Sequence, residues 1–270
     1  MEVFFLVIIL IILFILIGVF VKRRYIKIKY IKIRFGRSGK KSIMESVFYK
    51  NFLFYGHLND NFKSKLLTDA YILSEFVDID GIDIEITDEI KYTIFGLAGL
   101  LILGDENPDY FPNLTSVVVY PKMYISDRKG QNKSINLGES WNFGVVVLSW
   151  CDVISGTQNF SDGHNVALHE FAHQLDQQSG QADGIPANLN TDYYTWKNTF
   201  DKEYNKLIEE MENAEHDSID FYGTENKAEF FAVCTETFFE KPVIMKSEHP
   251  ELYSLLVRYY KIDPEKIFLN

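Results

Sequence analysis

The chain of 270 residues is poor in cysteine, with only Cys151 and Cys234. Two thiols so far apart in sequence suit neither a thiolate metal site nor a redox pair, and free buried thiols are expected. The lack of a disulfide framework fits a reducing compartment. No internal repeat or low-complexity tract divides the residues beyond the amino-terminal region, so they should form one substantial core or two intimately packed subdomains. Histidine is scarce, at six residues, and His57, His216 and His249 stand in polar, turn-like surroundings without metal-site spacing. Charge is missing altogether from Val3 to Val21, nineteen residues that are almost all Val, Ile, Leu and Phe. That run is long enough, as a helix, to cross roughly 30 Å of hydrocarbon. Positive charge is also missing ahead of it, at Met1-Glu2, which argues against a cleaved signal peptide.

The stretch beyond this run is basic. All ten Lys and Arg residues between Lys22 and Lys41 lie on its carboxyl side, so the positive-inside rule predicts a single-pass membrane protein whose remainder faces the cytoplasm. Residues 1–24 are then the anchor, 25–44 a basic juxtamembrane segment and 45–270 the folded domain. Alternating charge in Lys27-Ile-Lys-Tyr-Ile-Lys-Ile-Arg34 predicts a strand or extended segment on anionic headgroups. Beyond Lys41 the chain carries 17 basic against 37 acidic residues, which disfavours direct nucleic-acid binding by electrostatic repulsion.

The run His169-Glu170-Phe171-Ala172-His173 has the His-Glu-x-x-His spacing. On a helix both imidazoles leave one face a turn apart and can meet a single tetrahedral Zn²⁺, with Glu170 placed to take a proton from water. Ser161-Asp-Gly-His-Asn165 supplies cap residues, and Val166, Ala167, Leu168, Phe171, Ala172 and Leu175 make the helix apolar enough to be buried, with an end expected near Gln178. The alternative is a pair of core histidines satisfied by hydrogen bonds. A third protein ligand is needed, and Glu229 opens an apolar helical run, Ala228 to Phe239, that also carries Glu236 seven residues on and so on the same face. Glu229 is the expected ligand; Glu236 is either a partner that orients a histidine or a helix-surface carboxylate. Asp176 could orient an imidazole or cap the helix end. His164 is a helix-start residue rather than a rival ligand.

The pairing of His169-Glu-Phe-Ala-His173-Gln-Leu-Asp176 with Glu229-Phe-Phe-Ala-Val-Cys-Thr-Glu236-Thr-Phe-Phe resembles the Mlc titration factor A family of zinc peptidases. Gly138-Glu-Ser-Trp141, Val145-Val-Val-Leu-Ser-Trp150 and Asp183-Gly-Ile-Pro186 extend the resemblance over most of residues 45–270. The helix pair is also distantly similar to the catalytic domain of anthrax lethal factor. The resemblance implies zinc held by His169, His173 and Glu229, Glu170 as general base, and Tyr222, seven residues before Glu229, as the group stabilising the transition state. It further implies small aminoacyl or peptide substrates, or instead a binding role in which the fold sequesters a transcriptional regulator, since the family is known for binding the repressor Mlc.

The expected architecture is an α+β zincin-like metallopeptidase domain preceded by one amino-terminal transmembrane helix. Helices are expected at Glu45–Leu58, Phe62–Phe76, Asp88–Leu103, Tyr193–Glu212 and Pro250–Lys261, with strand-like stretches at Val77–Ile86, Leu114–Val119 and Val145–Trp150. The last strand is either an edge along which a peptide is laid or an ordinary buried strand. The long connection from Asp176 to Thr191 either shapes the cleft or is a passive connector.

Overall fold

A computed structural model of the protein describes residues 2–122, 124–126, 134–136, 138–141, 144–187, 189 and 191–268. The chain forms two compact units, Met1–Lys41 and Ser42–Asn270.

The first unit is a single helix, α1 (Glu2–Arg37). The extended juxtamembrane segment expected from alternating charge is therefore overturned. The uncharged run passes into Lys22–Arg34 with no proline to stop it, and in this stretch the low-exposure positions Ile28, Ile31 and Phe35 are spaced three and four apart, a helical rather than a strand period. The helix ends at Arg37, just before Gly39, and Ser38 closes the last turn through its backbone N and Oγ on the Phe35 carbonyl. Among the described residues, no helix is long and apolar enough to cross a membrane, so the predicted anchor has no support in the structure.

The second unit is helix-dominated α+β. Its helices are α2 (Lys40–Asn51, beginning two residues before the unit), α3 (Asp60–Phe76), α4 (Asp88–Leu101), α5 (Trp150–Gln158), α6 (Val166–Asp176), α7 (Tyr193–Glu212), α8 (Lys227–Glu240), α9 (Pro242–Glu248), α10 (Pro250–Tyr260) and α11 (Pro264–Phe268). Strands β1 (Asp78–Gly81), β2 (Ser116–Tyr120), β5 (Gly138–Trp141) and β6 (Val145–Ser149) form one sheet in the order β1-β2-β6-β5, with β5 the antiparallel member. A separate antiparallel pair joins β3 (Tyr124–Ser126) to β4 (Ser134–Asn136).

One open strand reading is decided and one helix expectation changes. Val145–Ser149 is an inner strand, flanked by β2 and β5, and Val146, Val147 and Leu148 are all buried. A strand covered on both faces reads as a continuous apolar run, which is why its sequence resembled an edge and a core strand equally. The edge nearest the active helix is β5, too short and too polar to announce itself as a strand. The helix expected through Leu58 breaks at Asn51, whose Nδ2 donates to Thr93 Oγ1 at 2.7 Å in the interior; a 3-10 turn, Leu53–His57, follows it.

Helix α6 sits at the centre of the unit, packed against α4, α8, β5 and β6. Ala167, Leu168, Phe171 and Ala172 are completely buried. Burying a leucine or phenylalanine contributes about 1.5–3 kcal/mol, so this apolar stripe holds in place the helix that carries both histidines.

Candidate metal centre

Helix α6 starts where its sequence suggested. Asn165 is the N-cap, its Oδ1 accepting from Leu168 N at 3.2 Å, and after Asp176 a short 3-10 turn ends at Gly180. Helix α8 starts at the N-cap Asn226, whose side chain accepts from the backbone N–H of Ala228 and Glu229. Glu229 thus lies in the first turn, where the helix dipole favours a carboxylate.

The two helices bring three donor atoms together. His169 Nε2 is 2.9 Å from Glu229 Oε2, His173 Nε2 is 3.2 Å from the same oxygen, and the two Nε2 atoms are 3.1 Å apart. Ligands about 2.0–2.1 Å from a tetrahedral Zn²⁺ lie about 3.3 Å from one another, so two imidazole nitrogens and one carboxylate oxygen at these separations fit one face of such a site. A carboxylate buried between two imidazoles needs positive charge beside it, which either a bound metal ion or a protonated imidazole supplies. Among the described residues, one other grouping of ligand-type side chains has donor atoms within 4.8 Å of one another: Asp217, Glu248 and His249.

Glu236 resolves the choice left open for it. Its Oε1 is 2.7 Å from His169 Nδ1, and a carboxylate there accepts, so Nδ1 carries a proton and Nε2 is the nitrogen that would face a metal in the triangle. Its Oε2 accepts from the backbone N of Asn165. Glu240, one turn further along α8, accepts from Asn165 Nδ2 at 3.1 Å and from Gly163 N at 3.0 Å. The carboxylates of Glu229, Glu236 and Glu240 therefore form one seam from the triangle to the start of α6. Glu240 was missed in the sequence, although its helical spacing from Glu236 was available as a signal.

These contacts move ionisation. Burial pushes His169 down, but Glu236 and Glu229 outweigh it and hold the imidazole well above its usual value. Burial dominates at His173, which is lowered. Burial alone would raise Glu229, yet hydrogen bonds from the two histidines carry it well below the usual carboxylate range. Tyr222 sits in a 3-10 turn, Phe221–Thr224, with its ring centroid 6.0 Å from that of His169, and burial together with Glu229, Glu225 and Glu170 raises its hydroxyl to about 12. Glu170 is buried on α6 beside the triangle.

Other candidates fall elsewhere. His164 is exposed just ahead of the N-cap, 3.4 Å from Asp220. Asp176 neither orients an imidazole nor caps its helix: its Oδ2 accepts from Gly184 N at 3.0 Å and pins the connection after α6. That connection is also held at the Gly184 carbonyl, 2.9 Å from Trp196 Nε1. Residues 188 and 190 of the predicted long loop lie outside the described residues. Cys234 is buried as expected, but Cys151 is exposed in the first turn of α5. His249 is not a turn-surface residue; it is 1% exposed between Glu203 and Asp217, partners 46 and 32 residues away that no local pattern could reveal.

Sequence comparison agrees with the site. Residues 33–261 match the model of a family described as glucose-regulated metallo-peptidase M90. An uncharacterized protein of Synechocystis sp. is 35% identical over 223 residues, spanning 78% of this chain and 80% of the relative. Mlc titration factor A of Pectobacterium atrosepticum is 34% identical over 161 residues, 55% of this chain and 59% of the relative. Its counterpart in Yersinia pestis is 27% identical over 223 residues, 77% and 80% respectively. With a family match over most of its length and these relatives beside it, the chain belongs to the glucose-regulated M90 metallopeptidases, the Mlc titration factor A kinship implied by its paired helical motifs.

Proposed function

We propose that the protein is a zinc-dependent peptidase whose metal is held by His169, His173 and Glu229. The observation that carries this reading is the triangle of two Nε2 atoms and Glu229 Oε2, 2.9 to 3.2 Å apart, with Glu236 directing one imidazole. Zinc bound there supplies Lewis acidity, which eases deprotonation of water and polarises a scissile carbonyl. Glu170 takes the proton from the attacking water and returns it to the leaving amine. The Tyr222 hydroxyl, kept protonated by its raised pKa, donates to the oxygen on which negative charge develops. Strand β5, at the sheet edge and packed against α6, offers backbone groups along which an extended peptide can be laid.

The membrane-anchored, cytoplasm-facing placement belongs to the same proposal. It is supported by the sequence alone, through the uncharged stretch Val3–Val21 and the ten basic residues after it. The names of the relatives favour a second reading, a tethered protein that holds a transcriptional regulator through the same fold. Zinc-loaded full-length protein incubated with a mixed peptide library, beside Glu170→Gln, separates the two. Cleavage that disappears in the variant, with zinc retained, supports the peptidase; folded, zinc-bound protein that cleaves nothing supports the binding role.

A further inference from the structure

The second grouping of ligand-type side chains lies behind the segment that carries Tyr222. His249, the residue joining α9 to α10, has Nδ1 2.8 Å from Glu203 Oε2 and Nε2 2.9 Å from Asp217 Oδ1. Carboxylates accept, so both ring nitrogens carry protons and the ring is an imidazolium shared between two buried anions. Both of its nitrogens are therefore already engaged, which leaves no lone pair for a metal. Glu203 belongs to α7, whereas Asp217 belongs to the connection between α7 and the Tyr222 turn.

That connection is tied down residue by residue. Asp217 Oδ1 also accepts from Ile219 N at 2.7 Å, and Ser218 N donates to Glu248 Oε2 at 3.2 Å. Asp220 Oδ1 then accepts from Tyr222 N at 2.7 Å. On the far side, Tyr204 donates to the Thr224 carbonyl at 3.0 Å. Gly223 lies so close to α8 that a Cβ there would meet Val233 Cγ2 at 2.7 Å. The backbone under Tyr222 is thus fixed at its two ends, and His249 supplies the charge at one of them.

We propose that His249 is a positioning residue: as an imidazolium between Glu203 and Asp217, it sets the backbone that presents the Tyr222 hydroxyl to the site. This rests on the reading of Tyr222 as the oxyanion donor. The other charged groups around the ring are Lys202, Lys206 and Glu210 of α7 and Glu248 of α9, and from α8 the buried thiol of Cys234 faces Asp217 and Glu203. Lys206 Nζ, 3.4 Å from Nδ1, opposes the ring's charge, while the carboxylates favour it. Burial lowers the imidazole pKa, but Asp217 and Glu203 carry it up to about 9. The clamp is therefore intact at neutral pH and opens in alkali.

The test places 4-fluorophenylalanine at position 222 of the full-length, zinc-loaded chain and follows its ¹⁹F resonance with pH. The resonance should move as pH rises through about 9, with helix content unchanged, and Glu203→Gln should bring the midpoint down. A resonance that stays put, or an unaltered midpoint in Glu203→Gln, overturns the proposal. A second arm uses any peptide the protein cleaves. His249→Gln, or Glu203→Gln if the first fails to fold, should lower kcat roughly ten- to a hundredfold, with KM and zinc content kept. It should cost little more in a Tyr222→Phe background, because both changes remove the same interaction. A full additive loss overturns the proposal. If wild-type protein cleaves nothing, the peptidase reading fails, and the ¹⁹F titration alone decides whether His249 positions residue 222.

Discussion

Glu236 Oε1 lies 2.7 Å from His169 Nδ1, joining α8 to α6 across 67 residues of sequence. That one contact selects the tautomer in which Nε2 can accept a metal, and Glu236 Oε2 secures the N-cap residue of the same helix. Orientation of a ligand and anchoring of its helix are therefore functions of one carboxylate.

Replacing Glu236 by Gln keeps the shape but turns a charged acceptor into a neutral amide that can present its donor face to Nδ1. Zinc affinity should fall by about ten- to a hundredfold, the usual effect of losing such a partner. Competition against a graded series of chelators measures it, and an unchanged affinity would remove Glu236 from the account.

Tyr222→Phe removes only a hydroxyl from a half-exposed ring. If that hydroxyl meets the developing oxyanion, kcat should drop by roughly a hundredfold with KM barely altered. Because its pKa stands at about 12, it should impose no alkaline limb on the wild-type rate near neutrality. Steady-state kinetics on one peptide would show a KM effect instead if Tyr222 merely lines the cleft.

Asp176 is fully buried, and burial raises its carboxyl to about 7 despite hydrogen bonds from Gly184 and its neighbours. An acid whose folded pKa lies above its unfolded value of about 3.9 makes the folded state less stable as pH rises from about 4 to 7. Asp176→Asn should flatten part of that slope and raise Tm above pH 7. Glu240, raised to about 8 by burial, should leave a residual slope of the same sign. A Tm that falls at every pH in the variant would show that the charged form is needed.

The sign is the same at His249, but the window is more alkaline. Its folded pKa of about 9 exceeds the unfolded 6.5, so its stabilisation is complete below about pH 6.5 and is lost as pH rises through about 9. Breaking a buried charge pair by removing one partner costs about 3–5 kcal/mol. Urea midpoints for wild type should fall across that window, while His249→Gln should start lower and show less of the fall.

Gly184 has φ of +76°, and a Cβ there would lie 2.5 Å from Phe200 Cε1 and 2.6 Å from the Lys227 carbonyl oxygen. Gly184→Ala should therefore cost about 1–3 kcal/mol, seen as a lower Tm, through strain and through displacement of the residue beside Asn226, the N-cap of the Glu229 helix. An unchanged Tm would mean that the connection shifts freely.

Local chemistry was readable without the fold. A helix with histidines four apart, an apolar stripe to bury it and Asn165 to cap it depends on residues within a few turns of one another, and those features were visible in the sequence, as was the acidic face of α8. Contacts between distant segments were not. Whether Glu236 was a surface carboxylate or the partner of His169 depended on how α6 packs against α8. Val145–Ser149 became an inner strand because β5 paired outside it, and Lys27–Arg34 became helix because the preceding run propagated into it. His249 looked like a polar turn residue until α7, the 213–220 connection and the α9–α10 corner met around it. Sequence by itself determined which side chains could hold a metal and on which helix faces they stand. Tertiary structure decided which of them meet, because a hydrogen bond or ion pair across 30 to 70 residues leaves no periodic trace and exists only once the apolar faces between those segments have been buried together.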